Sequence, residues 1–155
     1  MDLSTDSARG APFDLDRFTS AQEAVYDAVV AELRGGRKST HWMWFVFPQI
    51  DGLGNSATAV RYAIKSREEA RQYLRHPLLG ARLRQCAELL LAAKGRSASE
   101  IFGYPDDLKL KSSMTLFASV DVAGSVFLQV LERFFHGEQD ARTLRILETL
   151  DERDS

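Results

Sequence analysis

The sequence predicts an all-α fold, a compact single-domain bundle of about six to eight short and medium helices. Apolar residues recur three and four positions apart through most of the chain, as they do on one face of a helix. Residues that favour helix starts precede these runs, and glycine or His-Pro follows several of them. Residues 41–50 alone have the composition of a strand, and no second convincing strand is available to pair with them.

The first helix is predicted within residues 18–36. Ser20 and Glu23 have the spacing of a capping box, in which each side chain bonds the other residue's free backbone N–H. Gly35 and Gly36 then provide a left-handed stop. These signals predict one continuous helix that begins near Ser20.

Two shorter helices are predicted before residue 77. Asn55 or Ser56 is placed to cap a short helix that runs through Ile64. Ser66 and the glutamate three residues later repeat the capping-box spacing for the next helix. That helix is predicted to end at His76, because the following proline disfavours helical geometry in the residue before it.

The clearest helix is predicted over residues 77–95, where Leu79, Leu83, Cys86 and Leu90 form one apolar stripe. Helices are also predicted within residues 104–120, which begin with Pro105 at a first helical position, and within residues 124–137. Asp140 is predicted to cap the last helix. The domain should therefore span residues 13–150, between a flexible leader, residues 1–12, and a frayed tail, residues 151–155.

Residues 41–50, with the sequence HWMWFVFPQI, are predicted to form a short helix that Ser39 or Thr40 caps and Pro48 breaks. Trp42, Phe45 and Phe47 are predicted to be core residues. His41 and Trp44 share another side of this helix, and Gln49 lies just beyond its end. A flat aromatic ring beside a histidine and an amide suits a nucleobase or a sugar. The alternative is that His41 only bonds the backbone near the helix start.

A second candidate segment is PDDLKLKSS, residues 105–113. On a helix, Asp106, Lys109, Ser112 and Ser113 form a polar strip opposite the apolar residues. One interpretation is a solvated face with ion pairs three residues apart. The other is a surface that recognises phosphate or sugar, in which Asp106 or Asp107 could act as acid or base. We favour binding over catalysis, because no group that would activate a nucleophile is evident.

Composition restricts the possible functions. At 155 residues, with a formal net charge of −2, the chain has no basic excess that would indicate a nucleic-acid partner. No apolar run approaches the ~20 residues of a membrane span. The single cysteine, Cys86, cannot form an internal disulfide, which favours a reducing cytoplasm. His41, His76 and His136 lack metal-ligand spacing, so no metal site is predicted. No other cofactor is predicted either.

Several longer motifs resemble one known family. The motifs HWMWFVFPQ, GLG, YAI, HPLLGARL and IFGYPDDLKLKSSMTLF together resemble the bacterial family catalogued as domain of unknown function 1810. The resemblance extends over nearly the whole predicted domain, about residues 13–147. It implies a mainly helical fold. The family has no settled activity, so the resemblance implies no particular reaction.

The C-terminal third also resembles the end of the NADAR domains, which are helical proteins linked to ADP-ribose and to N-glycosides of riboflavin precursors. The matching positions are Met114, Phe117, Leu131, Gly137 and Asp140. The acidic–histidine segment and the terminal tryptophan–glycine of that family have no counterpart here. The resemblance implies a link to ADP-ribose or N-glycoside chemistry. An enzyme version of the hypothesis hydrolyses or transfers at an N-glycosidic bond, with Asp106 or Asp107 as acid or base.

The leading hypothesis is a polar-aromatic pocket for a small nucleotide-like or sugar-containing ligand, built from His41, Trp44 and Gln49 with Lys109, Ser112 and Ser113. Whether the protein is an enzyme stays open. The alternative is a non-catalytic protein-interaction module, in which aromatic and basic residues face a partner. Convergence of the two segments in one cleft would favour the pocket, and a flat apolar patch that includes Trp44 would favour the module.

Overall fold

The computed structural model of the protein describes residues 13–154. The predicted leader, residues 1–12, lies outside the described residues. Within the described part of the chain, ten helices and no strand confirm the all-α prediction. None of these helices is long and apolar enough to cross a membrane. They are α1 (Asp16–Glu23), α2 (Tyr26–Arg34), α3 (Met43–Val46), α4 (Ala57–Arg61), α5 (Arg67–Arg75), α6 (Leu79–Ala92), α7 (Ala98–Phe102), α8 (Asp106–Ala118), α9 (Val126–Phe135) and α10 (Ala141–Asp154).

The predicted first helix is two helices, since the chain breaks at Ala24 and Val25. Ser20 lies inside α1, so the predicted capping box of Ser20 and Glu23 is wrong. Starting the helix earlier places Phe18 in the core, where it is 0% exposed. The burial of this ring therefore outweighs a local capping signal, which is worth only ~1 kcal/mol.

The capping box that does form was not predicted. Ser97 Oγ accepts from Glu100 N at 3.1 Å, and Glu100 Oε1 accepts from Ser97 N at 2.8 Å. Predicted caps are confirmed at the starts of α4, α5 and α10, but the capping box predicted for Ser66 is only half formed, because Glu69 Oε1 accepts from Lys65 N and not from Ser66 N. There Ser56, Ser66 and Asp140 accept hydrogen bonds from backbone N–H groups at 2.9–3.1 Å. The same Ser-x-x-Glu pattern can thus start a helix or lie inside one.

Helices α6 and α8 each pack against several others. Helix α6 packs against α2, α5 and α9, and α8 packs against α5, α7, α9 and α10. The predicted stripe of Leu79, Leu83, Cys86 and Leu90 is confirmed, because each of these residues is at most 1% exposed. Helix α10 extends to Asp154 and so includes residues of the predicted tail. Both carboxylate oxygens of Asp151 accept from Arg67 at 2.9 Å, which ties this last turn to α5.

Within residues 41–50, Met43–Val46 form the predicted short helix α3, and the chain leaves the helix before Pro48. Ile50 and Ile64 next form an isolated parallel β-bridge. Asp51 N donates to Ile64 O at 2.8 Å, and Ile64 N donates to Gln49 O at 2.8 Å. These two bonds close a loop that carries α4 and brings Gln49 beside the end of α3.

A buried ion pair fixes the base of that loop. Arg17 pairs with Glu69 Oε2 at 2.9 Å, and the glutamate side chain is only 1% exposed. Arg17 also donates to the backbone oxygens of Arg61 and Ala63 at 2.8 Å each. Because α1, α4 and α5 meet at this one guanidinium, the loop has a fixed position relative to the helices.

Candidate functional site

The aromatic segment is divided between core and surface. Trp42 and Phe47 are at most 1% exposed, as predicted, whereas Phe45 is only partly buried against the core. Gln22 Nε2 donates to the backbone oxygen of Phe45 at 2.7 Å, which anchors α3 to α1. Trp44 is half-buried and Gln49 is also partly exposed. These two side chains are accessible at the surface, whereas Trp42, Met43, Val46 and Phe47 are buried.

Glu32 of α2 fixes the approach to α3. Its Oε1 accepts from Ser39 N at 2.7 Å, Thr40 N at 3.0 Å and Trp42 Nε1 at 2.9 Å. Its Oε2 accepts from Thr40 Oγ1 at 2.6 Å. The predicted capping of α3 by Ser39 or Thr40 is therefore wrong, because both residues bond Glu32 instead. Burial alone would raise the pKa of Glu32, but these hydrogen bonds outweigh burial and lower it to about 2.

An open groove of about 320 Å³ lies along α8, and we call it the α8 groove. It brings Trp44 and Gln49 from the aromatic segment together with Lys109 and Ser112 of α8. The two candidate segments therefore meet, although they are far apart in sequence. The complete lining is Trp44, Gln49, Leu53, Pro105, Leu108, Lys109, Lys111, Ser112, Asp140 and Arg142.

Lys109 lies where the two segments meet. Its Nζ is 4.1 Å from the centroid of the Trp44 ring and 3.0 Å from Asp106 Oδ1. The other oxygen of Asp106 pairs with Lys38 Nζ at 3.0 Å, and Lys38 Nζ lies 5.2 Å from the Trp42 ring. The contacts thus run from the Trp42 ring through Lys38, Asp106 and Lys109 to the Trp44 ring. This arrangement fixes the position of the Lys109 charge while leaving its side chain 19% exposed.

Neither predicted catalytic carboxylate is free in the groove. Burial would raise the pKa of Asp106, but the hydrogen bonds and charges of Lys38 and Lys109 outweigh it and lower that pKa. A carboxylate shared by two ammonium groups is a weak base. Asp107 Oδ1 accepts from Leu108 N at 2.9 Å, and Asp107 does not line the groove. The geometry assigns Asp106 to positioning Lys109, and the catalytic roles stay predictions without geometric support.

Two other predicted residues lie away from the groove. His41 is exposed and precedes α3, which begins at Met43, so it does not share a helical face with Trp44. Ser113 is 0% exposed, and its hydroxyl has no hydrogen-bond partner among the described residues. Because neighbouring helical residues are about 100° apart, Ser112 faces the groove while Ser113 turns into the core. The Ser112 hydroxyl bonds Leu108 O at 3.1 Å.

Sequence reasoning missed the opposite wall, which Asp140 and Arg142 supply from the start of α10. Asp140 N donates to the Thr115 hydroxyl at 2.9 Å, and this bond fixes the start of α10 beside α8. Arg142 is exposed there. Lys111 also lines the groove and pairs with Glu138. No local sequence pattern predicts that these residues line the groove, because only the packing of α10 on α8 brings them together.

The fold and the groove define a small helical protein with a partly aromatic, lysine- and arginine-lined groove. Within residues 13–154, no cluster of three His, Cys, Asp or Glu side chains is arranged to hold a metal ion. The chain belongs to the family described as protein of unknown function (DUF1810), whose model matches residues 12–147. This match confirms the family resemblance.

A crystal structure of a conserved hypothetical protein from Mycobacterium tuberculosis is similar to this chain. The two are 57% identical, with a TM-score of 0.87, over 88% of this chain and 98% of that one. No curated protein matches. The NADAR resemblance is not supported by these comparisons. Met114, Phe117 and Leu131, which carried it, are all 0% exposed, so core packing accounts for that pattern.

Proposed function

We propose that this protein binds a small anionic metabolite, nucleotide-like or sugar phosphate-like, in the α8 groove. The observation that carries the proposal is the convergence of Trp44 and Gln49 with Lys109 around one concavity. A volume of about 320 Å³ lies at the lower end of the range for small-molecule pockets, ≈ 300–1,000 Å³. The ligand is therefore of mononucleotide or sugar phosphate size.

The charges that line the groove favour an anion. Lys109, Lys111 and Arg142 supply three cations, and Asp140 is the one carboxylate among the lining residues. Asp140 Oδ2 is occupied by the backbone and hydroxyl of Thr143, at 2.9 and 2.5 Å. Lys109 and Lys111 each have one carboxylate partner, whereas Arg142 has none among the described residues. A phosphate group on the ligand can therefore take charge-assisted hydrogen bonds from Arg142 and Lys109.

The remaining lining suits an apolar ring. Leu53, Pro105 and Leu108 contribute hydrocarbon surface, and Leu108 is 48% exposed. Lys109 already covers one face of the Trp44 ring. We therefore expect the ligand ring to contact Leu53 and Leu108, with its anionic group directed at Lys109.

Binding without catalysis is the form of the proposal that the site supports best. Asp106 is committed to two lysines and Asp107 to the backbone, so neither supplies a proton donor or acceptor in the groove. The alternative, a protein-interaction module, has less support, because Trp44 lies within a groove instead of on a flat apolar patch. We propose a cytoplasmic location, which the single buried Cys86 suits.

A thermal-shift screen with nucleoside phosphates, ADP-ribose and sugar phosphates tests the proposal. Calorimetric titration then compares Lys109→Gln with Lys94→Gln, an exposed lysine beyond the end of α6 that serves as the matched control. Loss of a charge-assisted bond should raise Kd about tenfold or more in Lys109→Gln and leave Lys94→Gln unchanged. If no compound raises the melting temperature, or if both variants bind equally well, the proposal is wrong.

A further inference from the structure

We propose a second anion-binding site in the groove beside α7, which would take a phosphate-type oxyanion. This α7 groove has a volume of about 390 Å³ and is lined by Arg37, Lys38, Arg96, Ser99 and Gly103, with other residues of α7. None of these five residues lines the α8 groove. The proposal is therefore independent of the ligand proposed above.

The backbone holds the cationic side chains of this groove together. Lys38 N donates to Ile101 O at 2.7 Å, which joins the chain after α2 to α7. Gly36 has a φ of 73°, and a Cβ at that residue would lie 2.9 Å from Arg96 Cδ. Arg96 therefore lies directly over the Gly36 backbone, in space that any side chain at residue 36 would occupy. The guanidinium group of Arg96 is thereby positioned beside the segment that carries Arg37 and Lys38.

The positive charges of the groove are incompletely balanced. Arg37 and Arg96 are exposed, and neither has a carboxylate partner at ion-pair distance among the described residues. The groove also contains Glu100, whose Oε1 accepts from Ser97 N at 2.8 Å and so caps α7. The hydrogen bonds from Ser97, and to a lesser degree the nearby charge of Arg96, lower the pKa of Glu100, so this one carboxylate offsets part of the positive charge. Lys38 shares Asp106 with Lys109, and its side chain is only 8% exposed. Its main contribution to the groove is therefore to the electrostatic potential, since little of it is accessible to a ligand.

The donor types indicate the chemical class of the ligand. Two guanidinium groups offer planar, forked donors that match the paired oxygens of phosphate. The hydroxyl of Ser99 is a further donor on the same groove. The lining has one carboxylate and three cations, which favours an oxyanion with more than one negative charge. Pyrophosphate and phosphomonoesters have this charge and geometry.

The test is a titration of the ¹⁵N-labelled protein with sodium pyrophosphate at low ionic strength, followed by amide chemical shifts. We expect the amides of Arg37, Ser99 and Gly103 to titrate in the wild-type protein. Arg96→Gln should weaken this titration about tenfold or more, because it removes a charge-assisted donor. The matched control is Arg75→Gln, since Arg75 is 70% exposed at the end of α5 and should leave Kd unchanged.

Lys109→Gln separates this proposal from the one above. It should leave the shifts around α7 intact even where it abolishes binding in the α8 groove. Melting curves without pyrophosphate check that Arg96→Gln is folded. The inference is overturned if the α7 amides do not move at saturating pyrophosphate, or if Arg96→Gln titrates like the wild type. Shifts confined to residues of the α8 groove would also overturn it, without affecting the proposed function.

Discussion

The ammonium group of Lys109 lies 4.1 Å from the centre of the Trp44 ring, so a cation of α8 contacts an aromatic ring of α3. Asp106, one helical turn before Lys109, holds the same ammonium group from another side. The contact joins two segments that are distant in sequence, and it does so at the surface of a groove. The free energy of this contact can therefore be measured without a substitution in the core.

A double-mutant cycle with Trp44→Leu and Lys109→Gln should show a coupling free energy of about 0.5–1 kcal/mol in urea unfolding, since a partly exposed cation–π contact has this strength. The negative face of the indole ring attracts the ammonium group, and leucine has no such face. A cycle of Trp44→Leu with Lys94→Gln is the control and should be additive. Additivity in the first cycle would mean that the contact contributes nothing to stability.

Asp106→Asn should make stability depend more strongly on anions than it does in the wild type. The substitution removes the carboxylate between Lys38 and Lys109, and Lys38 is 8% exposed, so a poorly solvated cation loses its partner. We expect a loss of about 1–3 kcal/mol, partly restored by millimolar pyrophosphate in the melting buffer. Asp107→Asn is the matched control, because Asp107 forms no ion pair with another described residue. An equal pyrophosphate response in both variants would contradict this role of Asp106.

Glu32→Gln should remove a pH-dependent part of the stability. The carboxylate has a pKa of about 2 in the folded protein, against an ordinary value of 4.5. Because the pKa of Glu32 is lower in the folded state than in the unfolded state, the ionised carboxylate stabilises the fold fully above pH 4.5. This stabilisation is lost as the pH falls towards 2. Solvent screens the group, so we expect the wild type to exceed the variant by about 1–2 kcal/mol near neutrality.

Urea titrations over this pH range measure the effect of Glu32→Gln. The gap between wild type and variant should narrow steadily below pH 4.5. Glu88→Gln, an exposed glutamate on α6, is the control and should show no such narrowing. A constant gap at every pH would show that the hydrogen bonds to Glu32 do not depend on its charge.

Cys86 should react slowly with thiol reagents in the folded protein. Burial raises the pKa of its thiol to about 12, so almost no thiolate exists at neutral pH, and the side chain is 0% exposed. The rate should rise by several orders of magnitude in denaturing urea. Rapid labelling under native conditions would show that α6 opens frequently or that the thiol is accessible.

Much of the fold follows from short-range signals. The stripe on α6 and the caps at Ser56, Ser66 and Asp140 are local signals, and the structure agrees with them. The helix predicted within residues 41–50 goes against the local composition and depends on the absence of a partner strand elsewhere, and the structure has a helix at Met43–Val46. The break between α1 and α2 is different, because it depends on the contacts that the buried side chains of Phe18 and Gln22 make with residues distant in sequence. A local pattern contains no information on those partners.

The candidate site divides in the same way. The meeting of Trp44 with Lys109 could be predicted, since two amphipathic elements that share one small core bring their polar edges together. Ser113 could not be separated from Ser112 without knowing the rotation of α8 against its neighbours. Arg142 had no signal at all, because its place in the groove depends on the bond that ties Asp140 to α8.

The Ile50–Ile64 bridge has a consequence for how a ligand enters and leaves. Its two hydrogen bonds close the loop that carries Leu53, and Leu53 is one wall of the α8 groove. Local opening of this loop would expose the amide protons of Asp51 and Ile64 to exchange with solvent while α6 and α8 stay folded. A ligand that requires the closed loop slows exchange at both amides by the factor 1 + [L]/Kd. Hydrogen exchange at these two positions therefore reports occupancy of the groove without any label on the ligand.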